Sequence, residues 1–340
     1  MITKHEGALK DFIFLLGAGA SVDAGMPMVK QLTEKLRKRL PDIPDINGTS
    51  RPEFSQVFDL IEAQDSSVTG NYERLFEWIK LLLDVQKEPF RRIVAVKLDQ
   101  SITDAMGSLA FVIGGEIARL LESCQSEPSY LAKFADFIPA QGRLKVFSLN
   151  YDCCLEDACQ SAGIELTTGF DLDTKTWNPS LFWREANGIN LYKLHGSLRW
   201  HGVRDESRPI EQFQHHLELM ELKSEQRLPS HLKMRQEPEL VLGPGNKLQL
   251  DDPFLTLFYE FHRSIRQAQV FVIIGYSYGD PHINFILDQV LDAGGSLLDV
   301  NPGTPSSRYM SECRYHHLRL CARSALVHGK LRSELERLST

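Results

Sequence analysis

The sequence predicts an α/β fold, a Rossmann-like parallel sheet flanked by helices, with a helical insertion after the first strand. Three observations predict it. Short apolar runs rich in Val, Ile, Leu and Phe recur towards both ends of the chain without polar alternation, the habit of strands covered on both faces. Helix-period stretches separate the later runs, giving a β-then-α rhythm. Between the first and second runs lies a long segment of amphipathic helices with no convincing strand.

The runs are Phe12 to Leu16, Leu144 to Leu149, Leu191 to Leu194 and Val270 to Ile274, with Ser296 to Val300 as a fifth. Helices are expected over Phe254 to Ala268 and His282 to Leu291. The inserted segment carries helices over Val29 to Leu40, Glu53 to Ala63, Tyr72 to Asp84 and Ser101 to Ser123, and Leu75, Ile79, Leu82 and Leu83 share one face. Its breaks fall at Pro41-Asp42-Ile43-Pro44, Asn47-Gly48 and Thr69-Gly70-Asn71, all turn chemistry. A polar excursion from Arg204 to Pro238 reads as a surface helix or lid. The chain therefore divides into a Rossmann-like domain of residues 1–28 and 138–320, a helical insertion of 29–137, and a C-terminal helix within 321–340.

With 340 residues the chain can bury a large core, and its 42% hydrophobic and 24% charged residues exclude the disordered and fibrous classes. A formal net charge of −7 argues against strong direct nucleic-acid binding. The apolar run before Gly17 is too short to span a bilayer and has no signal-peptide layout, so no membrane is expected and the cytoplasm is the expected location. Six cysteines are scattered without a C-x-x-C pair, so reduced thiols and no structural zinc are expected. Cys153 and Cys154 are adjacent and could seldom serve one tetrahedral metal together; His201, His215 and His216 read as surface residues.

The first strand runs into Gly17-Ala18-Gly19-Ala20-Ser21, followed by Gly25-Met26-Pro27. Glycines at a strand-to-helix turn let the backbone approach a pyrophosphate, while amide hydrogens supply partial positive charge. The spacing departs from G-x-G-x-x-G because Val22 stands where the third glycine would be, and a tight turn that binds nothing explains the loop alone equally well. The second strand ends in Ser148-Leu149-Asn150-Tyr151-Asp152, the third in Lys193-Leu194-His195-Gly196-Ser197, the fourth in Gly275-Tyr276-Ser277-Tyr278-Gly279-Asp280-Pro281 and the fifth in Asp299-Val300-Asn301-Pro302. In open α/β sheets ligands bind at the carboxyl ends of strands, which places Asn150 and Asp152 towards the same crevice as the glycine loop. Asp152 is open to a second reading, as a helix N-cap. His195 is the side chain best suited to accept a proton near neutral pH.

Taken in order, GAGAS-x3-GMP, SLNYD, KLHGS, IIGYS-x-GDP and DVNP resemble the sirtuin fold, and within it the sirtuin-like NAD⁺ hydrolase domains of prokaryotic antiviral defence. The resemblance spans residues 12–27 and 144–302. It implies that Gly17, Ala18, Gly19 and Ser21 hold the pyrophosphate and the nicotinamide-side ribose. It implies that Asn150 orients that ribose and the nucleophile, that Asp152 orients Asn150 or the loop, and that His195 acts as base. Gly275 and Ser277 would contact the adenosine-side phosphate or ribose, Asn301 the adenosine ribose, and Asp280 marks the hydrolase-like group. NAD⁺ would be the substrate.

A deacylase of this fold has Asp-Phe-Arg after its Gly-Ile-Pro turn and a four-cysteine zinc module after its His-Gly. Here Met28-Val29-Lys30 follows Pro27, and no cysteine stands between Ser197 and Cys313, so no zinc is expected. The implied acceptor is water and the implied products are nicotinamide and ADP-ribose. A non-catalytic NAD⁺ or ADP-ribose sensor stands beside that reading, and an NAD-dependent protein deacylase behind it. A free NAD⁺ hydrolase would drain its own cell. The resemblance therefore implies an antiphage effector gated by homo-oligomer formation and by a separate partner, a motor ATPase or a nucleic-acid-guided protein.

Overall fold

The computed structural model describes residues 12–45, 47–87, 98–207, 218–223, 228–243 and 251–339, so His215 and His216 lie outside the described residues. Among the described residues the first elements are β1 (Phe12–Leu16) and four α-helices, α1 (Val29–Arg39), α2 (Glu53–Glu62), α3 (Tyr72–Val85) and α4 (Gln100–Glu122). Then come β2 (Arg143–Ser148), α5 (Cys154–Ala162), β3 (Leu166–Thr167), β4 (Gly188–Lys193), β5 (Gly196–Asp205), β6 (Glu218–Glu221) and β7 (Leu232–Leu240). The last elements are α6 (Phe254–Ile265), β8 (Val270–Ile274), α7 (Pro281–Asp292), β9 (Ser296–Val300), β10 (Tyr315–Leu318), α8 (Ala322–Val327) and α9 (Lys330–Ser339). No described helix is long and apolar enough to cross a membrane. The chain forms two compact units, one of Met1–Gly25, Ser126–Leu194 and Leu248–Thr340, the other of Met26–Gln125 and His195–Lys247.

The first unit holds a seven-stranded sheet of order β10-β9-β8-β1-β2-β4-β3, parallel at every pairing. All five residues of β1 and of β8 are buried, as covered parallel strands require. Phe14 packs on one face against Phe134 and Phe137, with ring centroids 5.1 and 5.4 Å away. Phe147 and Phe271 pack on the other face against Phe261 of α6, at 4.7 and 6.1 Å. The run Ser129–Phe137, on the far side of the helical stretch, thus belongs to this sheet's core.

Register matters more for function than strand number. Leu16 pairs with Ser148 on one side and Ile274 on the other, Ser148 with Lys193, and Ile274 with Val300. Five strands therefore end in step, and the turns that follow them leave from one edge. The chain travels from β1 through β2 to β4, then returns past β1 to β8 and β9, so the order reverses at the β1/β8 boundary. Ligand crevices of open α/β sheets form at such a reversal.

The second unit packs α1 to α4 around Leu32, Leu36, Phe54, Phe58, Leu75, Ile79, Leu109 and Ile113, all buried. The expected breaks are turns, and Asn71 caps α3 by accepting from the amides of Glu73 and Arg74. Glu116, buried on α4, is bracketed by Arg39 at 2.8 Å and Arg119 at 2.9 Å.

The polar excursion after Arg204 is strand, not helix, over most of its described residues. It supplies β6 and β7, which pair antiparallel with β5 in a three-stranded sheet of order β6-β5-β7. Such a sheet can keep one face wet, so charged residues dominate its sequence and hide the strand period. Its small apolar side is Val203, Met220 and Leu222, packed with Leu228 and Leu232. Trp200 is buried in β5 and donates from Nε1 to Glu221 at 3.1 Å. The C-terminal segment is two helices, broken at Gly329, whose φ is 66°.

Phe14→Ala should destabilise the chain by about 3–5 kcal/mol, because it empties the contact with Phe134 and Phe137 on a fully buried strand. Urea denaturation of the whole chain reads this directly. Burial lowers the His201 imidazole below its usual 6.5. A depressed folded value means stability that is present above the unfolded value and lost as pH falls towards the folded one. His201→Gln should therefore flatten the fall in Tm between about pH 7 and about pH 5.

Candidate functional site

The site is assembled from backbone first. A Cβ added to Gly17 would stand 2.6 Å from Tyr276 Cα, and one on Gly19 would stand 2.7 Å from Gly275 Cα. One on Gly275, which sits at φ 66°, would meet Ala20 N and Gly19 C at 2.3 Å. The turns after β1 and β8 therefore touch main chain to main chain at the sheet's reversal point, and only glycine fits there. Two hydrogen bonds seal the contact, from Gly17 N to Ile274 O at 3.0 Å and from Gly19 N to Gly275 O at 2.8 Å. The amides of Ala20 and Ser21 donate within the loop, to Gly17 O and Ala18 O. The glycines thus answer a packing requirement, and four of the loop's amides are already engaged.

Side chains join this loop to the turn after β2. Asn150 Nδ2 donates to Ser21 Oγ at 3.2 Å, and Ser21 Oγ donates to Asp152 Oδ1 at 3.1 Å. The same oxygen of Asp152 accepts from Cys154 N at 3.0 Å. Asp152 Oδ1 thus ties Ser21 to the first amide of α5, whose N-cap residue is Cys153. Asn150 and Ser21 are buried. Burial first, and then the neighbouring Asp152 carboxylate, pushes the Cys154 thiol far above its usual range, so it stays a protonated packing group.

Two further elements fix the loop. Tyr130 Oη donates to Ala20 O. Arg323, in α8, donates from N to Asp23 Oδ2 at 2.9 Å and from Nη2 to Asp23 O at 2.7 Å, with its guanidinium 4.9 Å from the Tyr130 ring centroid. Neither Tyr130 nor Arg323 stands near a recognisable motif, and no local sequence signal marks them.

On the β8 side, Asn301 Nδ2 donates to Tyr276 O at 3.4 Å, while its Oδ1 accepts from Gly303 N at 3.0 Å. Asp280 is buried and caps α7 by accepting from the amides of His282 and Ile283, at 2.9 and 3.4 Å. Ser277 is exposed on the same turn. Tyr278, between them, has φ 60°, a left-handed conformation that a bulky residue seldom adopts and that stores strain. Asn284 Nδ2 donates to its carbonyl at 2.8 Å, and the rings of Tyr276 and Tyr309 flank it at 5.1 and 5.5 Å.

The structure thus brings Gly17 and Gly19 against Gly275, and Ser21 against Asn150 and Asp152, with Ala18 inside the loop and Asn301 tied to the β8 turn. His195 opens the second unit, immediately after Leu194, whose amide donates to Ser148 O at 2.9 Å. Its side chain is buried. Lys193 is a residue whose importance the sequence reading passed over. It is buried beside Glu156 at 3.0 Å, and its place in an apolar strand run was the available signal. No group of three or more His, Cys, Asp or Glu side chains placed to hold a metal ion occurs among the described residues.

Residues 144–305 match the model of the SIR2-like domain. The SIR2-like match starts at β2 and runs past Asn301, taking in the turns that carry Asn150, His195, Gly275 and Asn301. The glycine loop after β1 lies outside it. No curated protein matches the chain. Among solved structures, a Sir2 homologue in complex with NAD is similar over 96% of this chain and 91% of that chain, at 16% identity and a TM-score of 0.44. A mutant Sir2 homologue in complex with ADP-ribose is similar over 99% of this chain and 97% of that chain, at 15% identity and a TM-score of 0.45. A Sir2 protein bound to a propionylated peptide is similar over 96% and 94%, at 13% and 0.40.

Gly275→Ala combines a left-handed backbone with a Cβ 2.3 Å from Ala20 N. It should destabilise the chain by about 2–4 kcal/mol, the sum of conformational cost and overpacking. Chemical denaturation checks it. A loss under about 0.5 kcal/mol would show that the two turns can separate freely.

Proposed function

We propose that the chain binds NAD⁺ at the carboxyl edge of its parallel sheet and cleaves the nicotinamide glycosidic bond with water, giving nicotinamide and ADP-ribose. One observation carries this reading, the hydrogen-bonded connection from Asn150 through Ser21 to Asp152. It unites the glycine loop with the Asn-x-Asp turn, two motifs 129 residues apart in the chain, beside the strand reversal where ligands of such sheets bind. The SIR2-like match over residues 144–305 supports the same reading.

Cleavage of the bond builds positive charge on the ribose, so the site must stabilise an oxocarbenium-like state and deliver a nucleophile. In this reading Asn150 orients the ribose and the water, with its amide held by Ser21. His195, as neutral imidazole, takes the proton from the attacking water. Asp152 keeps Ser21 in place. The loop from Gly17 to Ser21 lines the pyrophosphate and the nicotinamide-side ribose, Gly275 and Ser277 the adenosine-side phosphate or ribose, and Asn301 the adenosine ribose. Because unrestrained cleavage would exhaust the cell's NAD⁺, we propose that self-association and a separate protein partner gate the activity, as in antiphage effectors of the class the motifs resemble.

The test is nicotinamide release from NAD⁺ by the full chain, with its oligomeric state measured in the same samples. Asn150→Ala and His195→Ala should each lower kcat by roughly 10²- to 10⁴-fold. Release should not depend on an acylated peptide. Strict dependence on such a peptide would make the chain a deacylase, and tight NAD⁺ binding without release by any oligomer, alone or with candidate partner proteins added, would make it a sensor.

A further inference from the structure

Lys193 closes β4, and its side chain is 1% exposed. An ammonium taken out of water is strongly disfavoured unless each N–H finds an acceptor. The side chain has three N–H groups. Nζ lies 3.0 Å from Glu156 Oε1 and 3.4 Å from Tyr151 O, and it also donates to Asp152 O. Burial works against the charge, but Glu156, with Cys153 and Asp152, holds the lysine above its usual range, so it stays protonated.

The identity of those acceptors gives the lysine its meaning. Two of them are backbone carbonyls of the turn that carries Asn150 and Asp152. The third, Glu156, stands in the first turn of α5, the helix that leaves this turn. Because Lys193 pairs in register with Ser148, its strand sits directly beside the one from which the turn departs. The turn's amides are held separately, Leu149 N by Leu16 O at 2.9 Å and Asn150 N by Ser148 Oγ at 3.1 Å. Its carbonyls at 151 and 152 are held by one ammonium.

We infer that Lys193 is a positioning residue, which grips the carbonyls of Tyr151 and Asp152 and thereby sets Asn150 and Asp152 against Ser21. Glu156 accepts the remaining N–H of the ammonium. The catalytic consequence rests on the NAD⁺ cleavage reading; the structural one does not.

Two variants of the full chain separate a grip on the turn from a merely stabilising ion pair. Lys193→Met removes the pair and the donors to both carbonyls. Glu156→Gln removes the pair but leaves those donors in place. Amide hydrogen exchange of residues 149–154, measured without nucleotide, should quicken about 10-fold or more in Lys193→Met and about 3-fold or less in Glu156→Gln. Nicotinamide release should follow, with kcat lower by roughly 10- to 100-fold in Lys193→Met, KM within about 3-fold, and Glu156→Gln near the parent. If Lys193→Met does not fold, Lys193→Gln, which keeps a shorter donor, takes its place with the same ordering expected. Equal exchange in the lysine and glutamate variants would overturn the inference. If the parent chain releases no nicotinamide, alone or with candidate partner proteins added, the cleavage reading fails and the exchange comparison still decides the role of Lys193.

Discussion

Parallel strands that end in step oblige the turns that follow them to share one edge, and in this chain the tightest consequence is the contact between the turns after β1 and β8. Gly17, Gly19 and Gly275 let two main chains approach to distances at which a single methyl group would collide. Two hydrogen bonds across the contact satisfy amides that would otherwise be buried without partners. With that contact made, Ser21 falls where Asn150 and Asp152 can reach it, and Asn301 can tie β9 to the same turn.

Several polar groups buried behind that edge are satisfied by the turns themselves. Asp152 serves Ser21 and the α5 amide with one oxygen, Lys193 serves two carbonyls and Glu156 with one ammonium, and Asp280 caps α7. In a low-dielectric interior each such link is strong and each broken link is costly. Turns tied together in this way gain rigidity. Strain is concentrated at Tyr278, whose left-handed backbone is kept by Asn284 and two neighbouring rings.

The strands most legible in the sequence were those buried on both faces. Phe12–Leu16, Val270–Ile274 and Ser296–Val300 stand at the bounds their apolar runs announce, while β4 starts earlier, at Gly188, because Asn190 interrupts the apolar pattern from inside the sheet. Asn190 is buried there because Arg143 and the carbonyl of Phe182 give its side chain partners. The edge strands β3 and β10 and the wet sheet of β5 to β7 escaped, since two to four residues or a charged face carry no period to detect. Asn71 was legible as a break through turn chemistry, whereas Gly329 splits a segment whose sequence reads as one helix.

The sequence by itself determined the parallel α/β class and the positions of the motif-bearing turns, because burial of a strand and the conformational freedom of glycine are local demands. Tertiary structure alone decided what those residues touch. That Gly17 and Gly19 are needed by the turn after β8, that Ser21 bridges Asn150 and Asp152, and that Lys193 holds the carbonyls beside them are facts about chain segments 37 to more than 250 residues apart. The glycine loop could be read as a phosphate cradle from its spacing. Only the register of the parallel sheet shows that its glycines first serve the packing of one turn against another.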